Sequence, residues 1–546
     1  MTEKTEAASA AARIAEGYAT DSPAVVLGTV VLDGTVDPSA VVQIPLAMFN
    51  RHGLVAGATG TGKTKTLQVI AEQLSAAGVP VMMPDIKGDL SGLAVAAESN
   101  DKIVQRAKDT ADDWSGQSFP VEYLTLAGQS DGVPIRATID SFGPILLSKV
   151  LGLNETQEST LGLVFHWADS KNLPLLDIKD LRSVISYLTS AEGKADLKEL
   201  GGVSAATAGV ILRAVTNLEA QGGDVFFGEP QLDVADLMRT APDGRGIVSL
   251  LEVSDLQSRP ELFSTFLMWL LAELFETLPE VGDLDKPKLV FLFDESHLLF
   301  ADATKAFGKA VEQTVKLIRS KGVGVFFCSQ LPTDIPGPVL SQLGARIQHA
   351  LRAFTPDDQK ALSATVRTYP VSKDYDLATA LTSLGTGEAI VTVLSEKGAP
   401  TPVAWTRVRA PRSLMAPAPA DTVKTTISAS PLQGKYGQAV DRESAYEILT
   451  GRLTADAQAP TAGGPLAPPP ADRLPPVTLP PIAPAPAPEP APRSRRTPQQ
   501  PQDDGGLLGG VMDSPVVTSF MRSFGSAVGG ALGRSIFGTR SRRRRR

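Results

Sequence analysis

The chain has 546 residues, 42% of them hydrophobic, a formal net charge of −8 and a single cysteine. This length and apolar content suit a large buried core with room for about three or four average domains, while the lone Cys328 excludes an internal disulfide and any cysteine-based zinc cluster. The acidic balance argues against a generally nucleic-acid-binding surface, but residues 522–546 hold eight arginines and no acid, so the −8 of the whole chain becomes −16 on residues 1–521.

The N-terminal segment, 1–23, has no apolar signal core, and the most apolar run, FSTFLMWLLAELFETL (263–278), carries Glu273 and reads as a buried helix. A cytoplasmic location is therefore expected. Residues 24–50 contain short β-type runs broken by Gly, Asp and Pro, and form a small β element. From residue 51 to 139 strand and helix alternate: HGLVAG, a helix over 63–77 stopping at Gly78, VPVMMPD (79–85), and FPVEYLTL (119–126). Residues 140–240 carry helical spacing with few β runs, which predicts a helical insertion. The alternation returns over 241–410 with GIVSLLEV (246–253), helix 260–278, KLVFLFDE (288–295), helix 305–320, VGVFFCSQ (323–330) and a last strand EAIVTVL (388–394). Residues 411–510 read as a Pro/Ala-rich linker that cannot pack a core, and 511–546 as a Gly/Arg-rich tail. The fold class is α/β, with a mainly parallel sheet and helices on both faces.

The chemistry begins at GATGTGKT, which fits G-x-x-x-x-G-K-[ST]. It follows an apolar strand and opens an amphipathic helix, the context in which such a loop cradles a nucleotide triphosphate. Gly57, Ala58, Thr59, Gly60, Thr61 and Gly62 supply backbone N–H groups, Lys63 reaches the terminal phosphates, Thr64 ligates Mg²⁺, and Lys65 completes the binding set. A second element, LVFLFDESH (289–297), is an apolar strand ending in Asp294-Glu295. A strand that finishes in an acid delivers its carboxylate to the sheet edge where phosphates sit. Asp294 is the second metal-holding candidate, and Glu295 the general base for an attacking water. Asp-Glu here, with no N-K-x-D guanine motif, favours ATP as the nucleotide. Gln330, at the tip of VGVFFCSQ, is the candidate γ-phosphate sensor. The four histidines, His52, His166, His297 and His349, show no metal-ligand spacing and read as core or surface residues.

Taken together, GATGTGKTKTLQ, DIKGDLSGL (85–93), FLFDESHLLF, IRSKGVGVFFCSQLPTDIP and LGARIQHALRAFTPDDQKAL resemble the HerA/FtsK superfamily of P-loop motor ATPases, most closely the YjgR-type branch of HerA-like proteins, over about residues 25–410. The resemblance implies a RecA-like core, hexameric rings and ATP-driven work on DNA or another polymer. It implies catalytic roles for Lys63, Glu295 and Gln330, with Arg319 or Arg346 as the finger acting on a neighbour's phosphate. It also places Asp85 and Lys87 beside the nucleotide or pore. About 50 residues precede the phosphate loop, too few for the fuller N-terminal β-barrel of HerA helicases. Two functional classes stand side by side: a DNA translocase or helicase-like ring, and a ring ATPase driving protein or membrane-associated assembly. The tail bears on both. FMRSFGSAVGGALGRSIFG places Phe520, Phe524, Val528 and Leu532 along one helical stripe near arginines, which suits an anionic membrane; its glycines weaken a helix and suit a disordered nucleic-acid-binding arm, and the simplest reading is a solubilising tail.

Overall fold

Twelve strands build one sheet: β1 (Ala24–Leu32), β2 (Thr35–Pro45), β3 (Gly53–Ala56), β4 (Val81–Asp85), β5 (Val121–Leu126), β6 (Val133–Ile135), β7 (Val248–Glu252), β8 (Leu289–Phe293), β9 (Val323–Ser329), β10 (Ala345–Gln348), β11 (Glu388–Thr392) and β12 (Ala404–Val408). Their order is β2-β1-β12-β11-β10-β3-β9-β8-β4-β7-β5-β6. From β10 to β6 every pairing is parallel; from β10 outward through β11, β12, β1 and β2 every pairing is antiparallel. This computed structural model describes residues 10–126, 131–196, 202–253, 260–300 and 305–458. They belong to one compact unit.

The central strands are short apolar runs because both faces of the sheet are covered, so no polar alternation is needed. All of GLVA, VMMPD, LVFLF and VGVFFCS is buried. Successive residues feed opposite cores, since side chains alternate across a strand. Val55, Val81, Met83, Leu292, Phe326 and Cys328 pack on one face with Leu67, Ile70 and Leu74 of α1 (Lys63–Ala76). Leu54, Met82, Phe291, Phe293, Val325 and Phe327 pack on the other, against the insertion and Trp269.

Between β6 and β7 lie α2 (Ile139–Val150), α3 (Glu155–Ser170), α4 (Ile178–Thr189) and α5 (Ala205–Leu218). Asn154 and Asp177 start α3 and α4 with capping boxes, each satisfying two backbone donors that a helix start leaves free. The insertion docks through α6 (Pro260–Thr277), whose buried Trp269 donates its indole N–H to Ser141 Oγ at 2.9 Å. Among the described residues no helix is long and apolar enough to cross a membrane.

Two expectations change. The β element of 24–50 is not a separate module: β1 pairs with β12, a strand absent from the sequence reading, so the hairpin extends the main sheet. Nor does the fold end near 411. Arg412, Ser413 and Leu414 hydrogen-bond to Gln68 and Glu72 of α1, and helices Ala420–Ala429, Pro431–Tyr436 and Ala445–Gln458 follow. Tyr436 is fully buried, and Ser444 Oγ donates to the buried Asp180 of α4. These apolar positions are too sparse to show a period; they bury only because the insertion offers them a surface. The remainder of the expected linker and the basic tail lie outside the described residues.

Candidate nucleotide site at the carboxyl edge of the sheet

The phosphate loop connects β3 to α1 at the edge where the parallel strands end. Gly57 has φ +152° and Gly62 φ +112°, conformations that side chains resist. A Cβ on Gly57 would stand 2.5 Å from that of His349, so the loop lies flat against the residue that follows β10. The loop is pinned on three sides: Gly57 N–H to Ser329 O at 3.2 Å, Ala58 N–H to Ala350 O at 2.8 Å, and Gly387 N–H to Thr61 O at 2.9 Å. Thr59 and Gly60 remain exposed. Among the described residues no side chain caps α1 and no acid lies in its first turn, so its leading N–H groups are available to an anion.

Lys63 is only 8% exposed, and its ammonium donates to Ala58 O at 3.2 Å, inside the curl of its own loop. Thr64 Oγ1 donates to Asp294 Oδ2 at 3.1 Å, joining residues 230 positions apart. This is the arrangement needed for a hydroxyl and a carboxylate to share a divalent cation. Lys65 instead turns to Gln68 Oε1 at 3.3 Å, and burial lowers its pKa against the pull of Asp89, Asp85 and Asp294. Behind the loop, His349 holds Thr66 Oγ1 at 2.9 Å and Glu388 O at 2.8 Å, and burial pushes its pKa down to about 4, so it is neutral.

The acid pair sits two strands away, at the end of β8. Glu295 adopts a left-handed conformation, φ +46°, which a non-glycine residue takes only under constraint. The turn is fixed by Glu295 N–H to Asp294 Oδ1 at 2.8 Å and by Ser296 Oγ to Cys328 O at 2.8 Å. One carboxylate oxygen of Glu295 accepts from the Lys87 ammonium. The other is buried without a hydrogen-bond partner among the described residues, with His297 Nδ1 at 3.3 Å. Gln330 follows β9, between the phosphate loop and the acid strand, with its side chain exposed.

Asp85 is buried at the tip of β4 and braces the next turn, accepting from Gly88 N–H at 2.8 Å and Leu90 N–H at 2.9 Å. Burial raises its pKa to about 6. Beside it at the tip of β7, burial together with the Asp85 and Asp131 charges raises Glu252 to about 8. Neither finger candidate touches the phosphate loop of its own chain. Arg319 lies just ahead of β9, at the opposite edge of the sheet, 3.8 Å from Asp283. Arg346 is half-buried in β10, with Nη2 on Leu340 O at 3.2 Å. Arg352, by contrast, reaches Thr59 O at 3.4 Å. The structure thus gathers Lys63, Thr64, Asp294, Glu295 and Gln330 at one edge and leaves Arg319 and Arg346 apart. Sequence reasoning missed His349 behind the loop, for which there was no local signal. The family resemblance of DIKGD placed Lys87 beside the nucleotide or pore, without its partner Glu295.

The family model described as "Helicase HerA-like C-terminal" matches residues 31–546. The chain belongs to the HerA-like family. A Methanocaldococcus jannaschii protein named "Probable helicase" is 35% identical over 117 residues, and that match spans only 21% of either chain, about a fifth of the relative's length. Among solved structures, the bacterial conjugative coupling protein TrwBdeltaN70 is similar at 14% identity and a TM-score of 0.49, over 75% of this chain and 94% of that one. VirB4 of Thermoanaerobacter pseudethanolicus is similar at 13% identity and a TM-score of 0.44, over 72% of this chain and 98% of that one. In this chain the α/β core sets the phosphate-loop strand β3, the intervening β9 and the acid strand β8 side by side.

Proposed function

We propose that this HerA-like protein is a Mg²⁺-dependent ATP hydrolase that works as a homo-oligomeric ring, a hexamer, and moves along DNA. The observation that carries the hydrolase reading is the Thr64–Asp294 contact at 3.1 Å, beside the Lys63 ammonium and the Glu295 carboxylate. The residues fit the ligands. The N–H groups of Gly57 and Ala58 are spent on the Ser329 and Ala350 carbonyls, but the uncapped start of α1 with a buried lysine suits a triphosphate, and a hydroxyl facing a carboxylate suits Mg²⁺. When bound, Mg²⁺ supplies neutralisation of phosphate charge. Lys63 holds the terminal phosphates in register, Glu295 accepts the proton of the attacking water, and Gln330 orients that water or the γ-phosphate. Arg319 or Arg346 completes a neighbour's site in trans; within the chain Arg319 lies by Asp283 and Arg346 donates to Leu340 O.

The test is ATP turnover by the full-length chain with Mg²⁺, alone and with double-stranded DNA, single-stranded DNA or anionic vesicles. Lys63→Ala should lose binding and turnover, and Glu295→Gln should bind ATP yet stall. Equal turnover in Glu295→Gln and the parent would remove the hydrolase assignment. Stimulation by vesicles but not DNA would move the substrate to membrane-associated assemblies, and a monomer by sedimentation with ATP would remove the ring.

A further inference from the structure

Resting on the hydrolase reading, we propose that Lys87 is a positioning residue that holds Glu295 out of its working state, so that the tip of β4 gates hydrolysis. Three features of the geometry lead there. First, the Lys87 ammonium occupies one oxygen of the carboxylate that must take a proton from water, and a lone pair held by a cation is a poor acceptor. Second, that carboxylate is built to have a different partner. Its other oxygen is buried with no hydrogen bond among the described residues, facing His297 Nδ1 at 3.3 Å, and its backbone sits at φ +46°, a conformation kept only where the surroundings enforce it. Third, the two ends of the contact differ in freedom. The Glu295 side chain is 11% exposed, whereas that of Lys87 is 50% exposed.

The mounting of Lys87 fits a moving part on a fixed base. β4 and β8 are adjacent, with Met82 opposite Phe291, and both strands deliver their tips to the same edge. The Asp85 carboxylate braces the turn through Gly88 and Leu90, and Gly88 at φ +75° lets the chain reverse. The turn is therefore rigid, and the long lysine stem above it is the flexible element. Thr64 and Asp294 make their own contact, in which Lys87 takes no part. A phosphate oxygen brought to the exposed ammonium competes with Glu295 for it, and frees the carboxylate to bind water.

The test uses the full-length protein with saturating Mg²⁺ and ATP, without polymer. Lys87→Met should raise kcat at least three-fold while KM changes by less than two-fold, and Lys87→Arg, which keeps the cation, should stay near the parent. Lys87→Met combined with Glu295→Gln should be as inactive as Glu295→Gln alone, since the gain must pass through Glu295. If Lys87→Met turns over no faster than the parent, the latch is wrong and the lysine serves structure or the transition state. Failure of the hydrolase reading is separately visible: the parent would then show neither turnover nor Lys63-dependent binding of a fluorescent ATP analogue.

Discussion

Glu72 ties the late part of the chain to the phosphate-loop helix, and its removal tests whether that strap belongs to the fold. Its carboxylate, 3% exposed on α1, accepts from Arg412 N–H at 2.8 Å, from Ser413 N–H at 2.9 Å and from Ser413 Oγ. Gln68, one turn earlier, donates to Ser413 Oγ at 2.6 Å and Leu414 O at 3.0 Å. Hydrogen bonds to a charged acceptor contribute about 1.5–3 kcal/mol each, so three have a gross value of roughly 4.5–9 kcal/mol. Burial works against this: it raises the Glu72 pKa in spite of all three donors, so several kcal/mol of desolvation are recovered when the carboxylate goes. Glu72→Ala should therefore destabilise by about 3 kcal/mol, chiefly because the buried Ser413 N–H and the partly buried Arg412 N–H lose their acceptor. Ser413→Ala, which removes only the hydroxyl, should cost about 1 kcal/mol, and Glu72→Gln, which keeps one acceptor oxygen, should fall between. Urea unfolding of the full-length chain, followed by tryptophan fluorescence, reads the order. A loss below about 1 kcal/mol for Glu72→Ala, or a smaller loss than for Ser413→Ala, would refute the clamp.

Other outcomes follow from the same geometry. His52 is buried ahead of β3, and burial, with the Arg319 charge nearby, lowers its pKa from 6.5 to about 4. A depressed folded value makes its contribution complete above pH 6.5 and lost as pH falls toward 4, so moving from pH 7 to 5 removes about 2 kcal/mol. His52→Asn should show a pH 7-to-5 loss smaller by that amount, and parallel curves would refute it. One of Arg319→Ala or Arg346→Ala should bind ATP normally yet lose about 10³-fold in turnover, with activity partly restored by mixing in Lys63→Ala subunits; no rescue from either would exclude a finger acting in trans. Deleting 459–546 should leave basal turnover within about two-fold, while salt-sensitive binding to DNA or anionic vesicles falls with the loss of the arginines. Unchanged binding at low and high salt would make the tail a solubilising extension.

What the residues disclosed unaided was whatever is encoded locally. GATGTGKT needs particular backbone conformations over eight consecutive positions, so its glycines and lysine announce the loop wherever the chain goes. LVFLFDE is legible for a similar reason: a strand buried on both faces must be apolar throughout, and an acid at its end marks where it leaves the core. The meeting of Thr64 with Asp294 could be anticipated because parallel strands bring their carboxyl ends to one edge. Strands β6 (VPI), β10 (ARIQ) and β12 (AWTRV) were not legible, since Pro or polar residues interrupt their apolar runs and they pair only where a neighbouring strand is waiting. The folded strap beyond residue 411 escaped for a related reason: Leu432, Tyr436 and Leu449 are isolated apolar residues among polar ones, and become core only against the insertion helices. The hold of Lys87 on Glu295 belongs wholly to tertiary structure. Two side chains 208 positions apart meet because β4 lies next to β8, and strand order is set by the packing of the whole sheet, not by either segment.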